Sequence, residues 1–224
     1  MTALRPQQFP TIEAIRGRWA LVAAIETAIL GEGRDSSHAD EHGWFYSDGG
    51  GSWARLTPLP DGRAVLAGID RDHSETHRRG LDLITGMPDW GVAHVEAAVS
   101  SESGRHWETG GEQPWLGFVY WRENAGEAWR TVDHGLADGL DKHLLPVLSE
   151  EQMLAAAADW FEGAVMDLDD PESAPEQVDA EAVRRGAELG PDLTAQALNA
   201  VLPFEGMHIE AAVRAARAFS AAPR

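Results

Sequence analysis

Residues 43–56 read GWFYSDGGGSWARL, in which three consecutive glycines separate two aromatic, strand-like runs. A glycine loop that holds phosphate leads from a strand into the N-terminus of a helix, where free N–H groups converge. Here Gly49, Gly50 and Gly51 lead into a second extended run, and both a Walker lysine and dinucleotide-binding glycine spacing are missing. The stretch therefore predicts a wide hairpin turn or bulge, whose glycines supply backbone conformations with positive φ.

Further extended runs surround this hairpin. Short apolar and aromatic runs separated by turn residues are typical of antiparallel strands. The predicted strands are WFYS (44–47), SWARLTPL (52–59), RAVLAGID (63–70), VAHVEAAVS (92–100), PWLGFVYWR (114–122) and AWRTVD (128–133). Both faces of the 114–122 run are apolar, which predicts a central position in the sheet.

Apolar residues at spacings of three and four predict helices at both ends of the chain. The predicted helices cover residues 11–30, 149–166, 179–189, 193–202 and 207–222. We therefore expect an α+β fold. Residues 1–146 supply an N-terminal helix and an antiparallel sheet of about six strands, and residues 147–224 form a helical part packed on that sheet within one globular unit.

Composition limits the classes of function. The formal net charge is −19, which repels nucleic acids and anionic membranes and suits a basic protein partner. There is no cysteine, which excludes disulfides and cysteine nucleophiles. The N-terminus lacks a secretory pattern. We expect a cytoplasmic protein that binds neither nucleic acid nor membrane and carries no cofactor.

The strongest candidate for chemistry is DRDHSETH at residues 70–77, which begins where a predicted strand ends. His73 and His77 would share one face of a helix, as zinc ligands do. A metalloprotease motif needs a glutamate directly after the first histidine, however, and here Glu75 lies midway between the two. The alternative is a solvated loop that caps a short helix. If the protein is an enzyme, the expected catalytic residues are Asp70, Asp72, His73, Glu75 and His77, and any metal would bind Asp72, His73 and His77.

The chain contains nine tryptophans, and this residue both fills cores and anchors binding surfaces. Most of them fall in or beside the predicted sheet. Trp90 and Trp107 have loop-like surroundings, which makes them candidates for exposed anchors.

The stretch from Phe45 to Thr76, FYSDGGGSWARLTPLPDGRAVLAGIDRDHSET, resembles a group of uncharacterised actinobacterial proteins. The shared pattern is an aromatic run with DGGGxW, then LPxGRAVL, DxxxSET and a PDW element. The resemblance spans residues 44–90 and implies no particular activity. It draws attention to Asp48 and Trp53, which we take as further candidate binding residues.

Three functions follow from these patterns. The first is a non-catalytic, antitoxin- or immunity-like protein that offers an acidic surface to a basic protein. The second is a metal-dependent or acid–base enzyme centred on Asp70–His77. The third is a protein that holds a small ligand in a tryptophan-lined pocket.

Overall fold

The computed structural model describes residues 3–33, 36–106, 115–140, 145–166, 168, 172 and 174–220. Within these residues the chain forms seven strands and seven α-helices. The strands are β1 (Leu4–Gln7), β2 (Ser37–Asp40), β3 (Gly43–Ser47), β4 (Trp53–Pro58), β5 (Ala64–Ile69), β6 (Phe118–Arg122) and β7 (Trp129–Val132). The helices are α1 (Ile12–Leu30), α2 (Glu75–Arg78), α3 (Asp89–His106), α4 (Glu150–Met166), α5 (Ala180–Leu189), α6 (Ala195–Val201) and α7 (Ile209–Ala218).

The described strands form one sheet in the order β1-β7-β6-β5-β4-β3-β2. Neighbouring strands pair antiparallel. For example, Trp53 of β4 pairs with Ser47 of β3 on one side and with Ile69 of β5 on the other. The triple glycine connects β3 to β4, so the predicted hairpin is confirmed. The α+β class, the N-terminal helix and the C-terminal helices are also confirmed, and β6 lies inside the sheet as expected.

Three elements differ from the prediction. β1 and β2 were not predicted, because their sequences LRPQ and SHAD lack apolar alternation. Residues 92–100 were predicted as a strand and lie in α3 instead. Val92, Val95 and Val99 are spaced by three and four, and this helical period outweighs the strand preference of valine.

The chain divides into two compact units. One contains β1 and the described residues between Asp40 and Leu145, and the other contains Pro10–Ala39 and the described residues from Pro146 to Ser220. The boundary between Leu145 and Pro146 lies one residue before the predicted boundary, which followed residue 146. The helix α1 belongs to the second unit rather than to the sheet unit, since it packs on α4, α5 and α7.

In the sheet unit, one face of the sheet packs against α3 and the loop before it. The core there consists of Phe45, Trp53, Val65, Ala67, Ile69, Leu83, Met87, Val95, Ala98, Leu116, Val119, Trp121 and Val132. Side chains on the opposite face, such as Leu56, Leu66 and Tyr120, are also buried. A sheet buried on both faces explains why β5 reads as a continuous apolar run.

In the helical unit, α1 is buried on all sides from Trp19 to Glu26. Side-chain caps fix where the helices begin. Thr11 accepts a hydrogen bond from the Ala14 N–H, and Ser149 accepts one from the Gln152 N–H. Among the described helices, none combines the length and the apolar character needed to cross a bilayer.

Candidate functional site

The triple-glycine loop is a closed turn held by Asp48. Its Oδ1 accepts hydrogen bonds from the N–H groups of Gly50 (2.7 Å) and Ser52 (3.0 Å). Gly49 and Gly51 have φ values of 71° and 105°, which favour glycine. The role of Asp48 is therefore to form the turn, because the same oxygen serves two backbone groups.

Two side chains from elsewhere in the sheet unit bind the carbonyls of this loop. The Arg71 guanidinium donates to the Gly50 carbonyl (2.9 Å), and the Trp115 indole N–H donates to the Gly51 carbonyl (3.0 Å). A Cβ on Gly51 would lie 3.1 Å from Arg71 Cδ. The loop therefore anchors Arg71 and Trp115.

The DRDHSETH stretch forms a turn built on Asp70, which is 5% exposed. Its Oδ1 accepts from the N–H groups of Asp72 (2.9 Å) and His73 (3.0 Å). Both carboxylate oxygens lie 3.0 Å from His73 Nδ1, and the His73 side chain is 53% exposed. The structure thus brings together an Asp–His pair in which the carboxylate fixes the imidazole.

The same stretch is anchored to the loop that follows β7. The Ser74 hydroxyl donates to the Asp138 carbonyl (2.6 Å), and the Glu75 N–H donates to the Ala137 carbonyl (2.9 Å). A Cβ on Gly139 would lie 2.7 Å from the Cβ of Asp70, so only glycine fits there. Sequence reasoning missed these partners. The available signal was the turn-forming Asp-Gly pair at 138–139.

Asp138 also binds the side chain of Tyr120. The Tyr120 hydroxyl donates to Asp138 Oδ2. Burial and the neighbouring Asp138 carboxylate raise the pKa of Tyr120. The phenol is therefore neutral and acts as a donor that fixes the Asp138 side chain.

The remaining predicted site residues are not gathered around the Asp–His pair. Asp72 and Glu75 are exposed. His77 packs edge-on against the Trp115 ring, with 4.8 Å between ring centroids. Within the described residues no group of three or more histidine, aspartate or glutamate side chains is arranged to hold a metal, so Asp72, His73 and His77 do not form such a group.

The candidate binding tryptophans have different surroundings. Trp53 is 1% exposed and belongs to the core, where it cannot contact a partner. Trp90 is half-buried and packs on the same core, and the Arg63 guanidinium carbon lies 4.7 Å from the centroid of its ring. Trp107 lies outside the described residues.

The sheet unit contains a cavity of about 470 Å³ that the sequence did not predict. It lies between α3 and the segment that follows α2. Its apolar lining residues are Leu81, Leu83, Ile84, Val95, Val99 and Leu116, and its polar lining residues are His77, Asp82, Glu96 and Ser100, with Gly80 beside them. The valine spacing in α3 was the available signal, because one valine stripe covers both core and cavity.

The chain has no significant match among protein-family models, curated proteins or solved structures. The resemblance to the actinobacterial group therefore stays a prediction.

Proposed function

We propose that the protein binds a small, largely apolar ligand in the cavity between α3 and the segment after α2. The observation that supports this is the cavity itself, with a volume of about 470 Å³. Ligand sites in proteins are concave, mostly apolar and about 300–1,000 Å³ in volume, with a few polar groups that orient the ligand. The proposal differs from the predicted tryptophan-lined pocket, since the lining described here is aliphatic.

The polar side of the cavity is connected to the triple-glycine loop. His77 lines the cavity and contacts the Trp115 ring, and the Trp115 N–H is bound by the Gly51 carbonyl. These contacts hold the imidazole at the edge of an apolar space. A fixed polar group of this kind supplies direction to an otherwise non-directional apolar site.

The test is a fluorescence titration with N-phenyl-1-naphthylamine, an uncharged dye that brightens in apolar surroundings. We expect saturable binding of one dye per chain with micromolar affinity. The variant Val99→Phe places a larger side chain in the cavity, and we expect it to weaken dye binding at least about tenfold.

The matched control is Ala97→Phe, which adds a phenyl group at an exposed position of the same helix outside the cavity. We expect it to bind the dye as the parent does, and circular dichroism checks that both variants are folded. Equal dye affinity in Val99→Phe and the parent would show that the dye binds elsewhere and would contradict the proposal.

A second candidate function is the acidic surface for a basic protein, and one observation in the helical unit favours it. On α4 the exposed side chains include Glu151, Asp159 and Glu162, at spacings that place them on one face. Met166 continues this face and is 76% exposed. An acidic face that ends in an exposed methionine suits a partner with a basic rim and an apolar contact.

A further inference from the structure

Two acidic residues, Asp82 and Glu96, are among the described residues that line the cavity. Asp82 comes from the segment after α2 and Glu96 comes from α3, so two separate elements each contribute an acidic residue to the lining. Neither lysine nor arginine is among the described lining residues. An apolar cavity with a negative edge attracts a ligand of opposite charge.

One of the two carboxylates is fixed in position. Asp82 Oδ1 accepts from the N–H groups of Ile84 (3.0 Å) and Thr85 (3.1 Å), and Oδ2 accepts from the Thr85 hydroxyl. The Thr85 hydroxyl, and then the Ile84 N–H, hold the pKa of Asp82 below its usual range. Asp82 is therefore ionised at neutral pH and needs no rearrangement to attract a cation.

We propose that the ligand of this cavity is a small organic cation, an apolar body that carries one ammonium group. The aliphatic lining takes the apolar body, and the carboxylates of Asp82 and Glu96 attract the ammonium group. This assignment rests on the proposed ligand-binding function and specifies the chemical class of the ligand.

Three probes with the same alkyl chain test the assignment: n-octylammonium, 1-octanol and octanoate. Each is titrated against the complex of the protein with N-phenyl-1-naphthylamine, and displacement of the dye is measured. We expect n-octylammonium to displace the dye at a concentration about fivefold or more below that of 1-octanol, and octanoate to be the weakest.

The variant Glu96→Gln removes one carboxylate from an exposed position of α3, so the fold is expected to be retained. We expect it to weaken dye displacement by n-octylammonium about threefold or more and to leave displacement by 1-octanol unchanged. The control Glu41→Gln makes the same change of charge at a side chain that is 74% exposed in the turn between β2 and β3. This control should leave dye displacement by both probes unchanged. It therefore separates local attraction from the effect of the overall negative charge.

The outcomes distinguish the two proposals. Equal displacement by the three probes, or strongest displacement by octanoate, would overturn the cation assignment and leave the ligand-binding function standing. The same holds if Glu96→Gln and Glu41→Gln weaken n-octylammonium equally. If the dye does not bind the parent protein, the proposed function fails together with the assignment.

Discussion

Asp48 and Asp70 have the same structural role at the ends of two strands. Each follows a strand and uses Oδ1 to accept two backbone N–H groups of the next turn. A carboxylate that receives such bonds stabilises the turn, and removing it leaves these N–H groups without their partner. Turn formation thus explains why an aspartate stands at each of these two positions, before any catalytic role is considered.

Glu26 is a buried acid in the middle of α1 and is 3% exposed. Its Oε2 has no hydrogen-bond partner among the residues described. Burial raises the pKa of Glu26 to about 7, and hydrogen bonding with Ser37 opposes the rise only in part. The folded state therefore favours the protonated carboxyl.

Glu26 should make the protein less stable as the pH rises. Because the pKa in the folded state is above the ordinary value of 4.5, the contribution is fully present below pH 4.5 and is lost as the pH approaches about 7. We expect Glu26→Gln to remove this loss, so its advantage in the free energy of unfolding grows to about 3 kcal/mol at neutral pH.

Urea denaturation of both proteins from pH 4 to 8 measures this difference. Glu13→Gln, at an exposed position in the first turn of the same helix, is the control, and its effect should be far smaller. A constant difference between Glu26→Gln and the parent over this range would contradict the prediction.

At the scale of elements, α1 and α5 approach so closely that a side chain would not fit between them. A Cβ on Gly17 would lie 2.2 Å from the Ala187 carbonyl oxygen. Gly190 lies against the same position with φ 52°, and a Cβ on it would lie 2.9 Å from Gly17 Cα. Glycine in α1 therefore permits this crossing of helix backbones.

Gly17→Ala separates helix propensity from packing. Propensity alone favours alanine within a helix by about 1 kcal/mol. We expect the contact with the Ala187 carbonyl to outweigh this, and the variant to lose about 2–3 kcal/mol of stability in urea denaturation.

Gly163→Ala in α4 is the matched substitution, because no atom lies within 4 Å of a Cβ built there. We expect it to stabilise the protein by about 0.5–1 kcal/mol. If both variants stabilise the protein alike, α1 and α5 do not approach each other as closely as described.

Local patterns predicted the elements whose structure is decided within their own sequence. The caps and the apolar spacing identified α1 and α4, and the triple glycine identified the β3–β4 hairpin. β1 could not be predicted in this way. It contains Pro6 and has little apolar character, and pairing with β7 makes it a strand.

The candidate site was less predictable than the fold. The DRDHSETH motif suggested chemistry, yet several of its polar groups donate hydrogen bonds to the carbonyls of Ala137 and Asp138, about 60 residues further along. The cavity is formed by residues 77–84, residues 95–100 and Leu116. No local pattern reveals that these segments meet, because only the packing of α3 on the sheet brings them together.

At the scale of the whole molecule, the net charge of −19 acts on every charged partner. Such a charge accelerates association with basic proteins and is screened by salt over about 10 Å at 0.1 M. Overall charge and a specific acidic face make different predictions. If overall charge drives binding, the loss of affinity depends only on the number of carboxylates removed. If a specific acidic face drives binding, the loss of affinity depends on which carboxylates are removed.

The acidic face of α4 is tested with the triple variant Glu151→Gln, Asp159→Asn and Glu162→Gln. The parent protein is immobilised on a resin and incubated with a native lysate. We expect it to retain a basic protein at low salt and to release that protein at high salt. Since exposed ion pairs contribute about 0.2–1 kcal/mol each, the triple variant should lose about 1–2 kcal/mol of affinity, or about 5- to 30-fold.

The comparison that decides the question is a second triple variant with the same change of charge in the sheet unit, Glu41→Gln, Glu75→Gln and Asp89→Asn. These three side chains are exposed and lie outside α4. A specific partner for the α4 face should tolerate this variant, because its contacts with α4 are intact. Equal loss of retention in both variants would show that only the overall charge matters, and no retained basic protein at low salt would rule out the acidic-surface function.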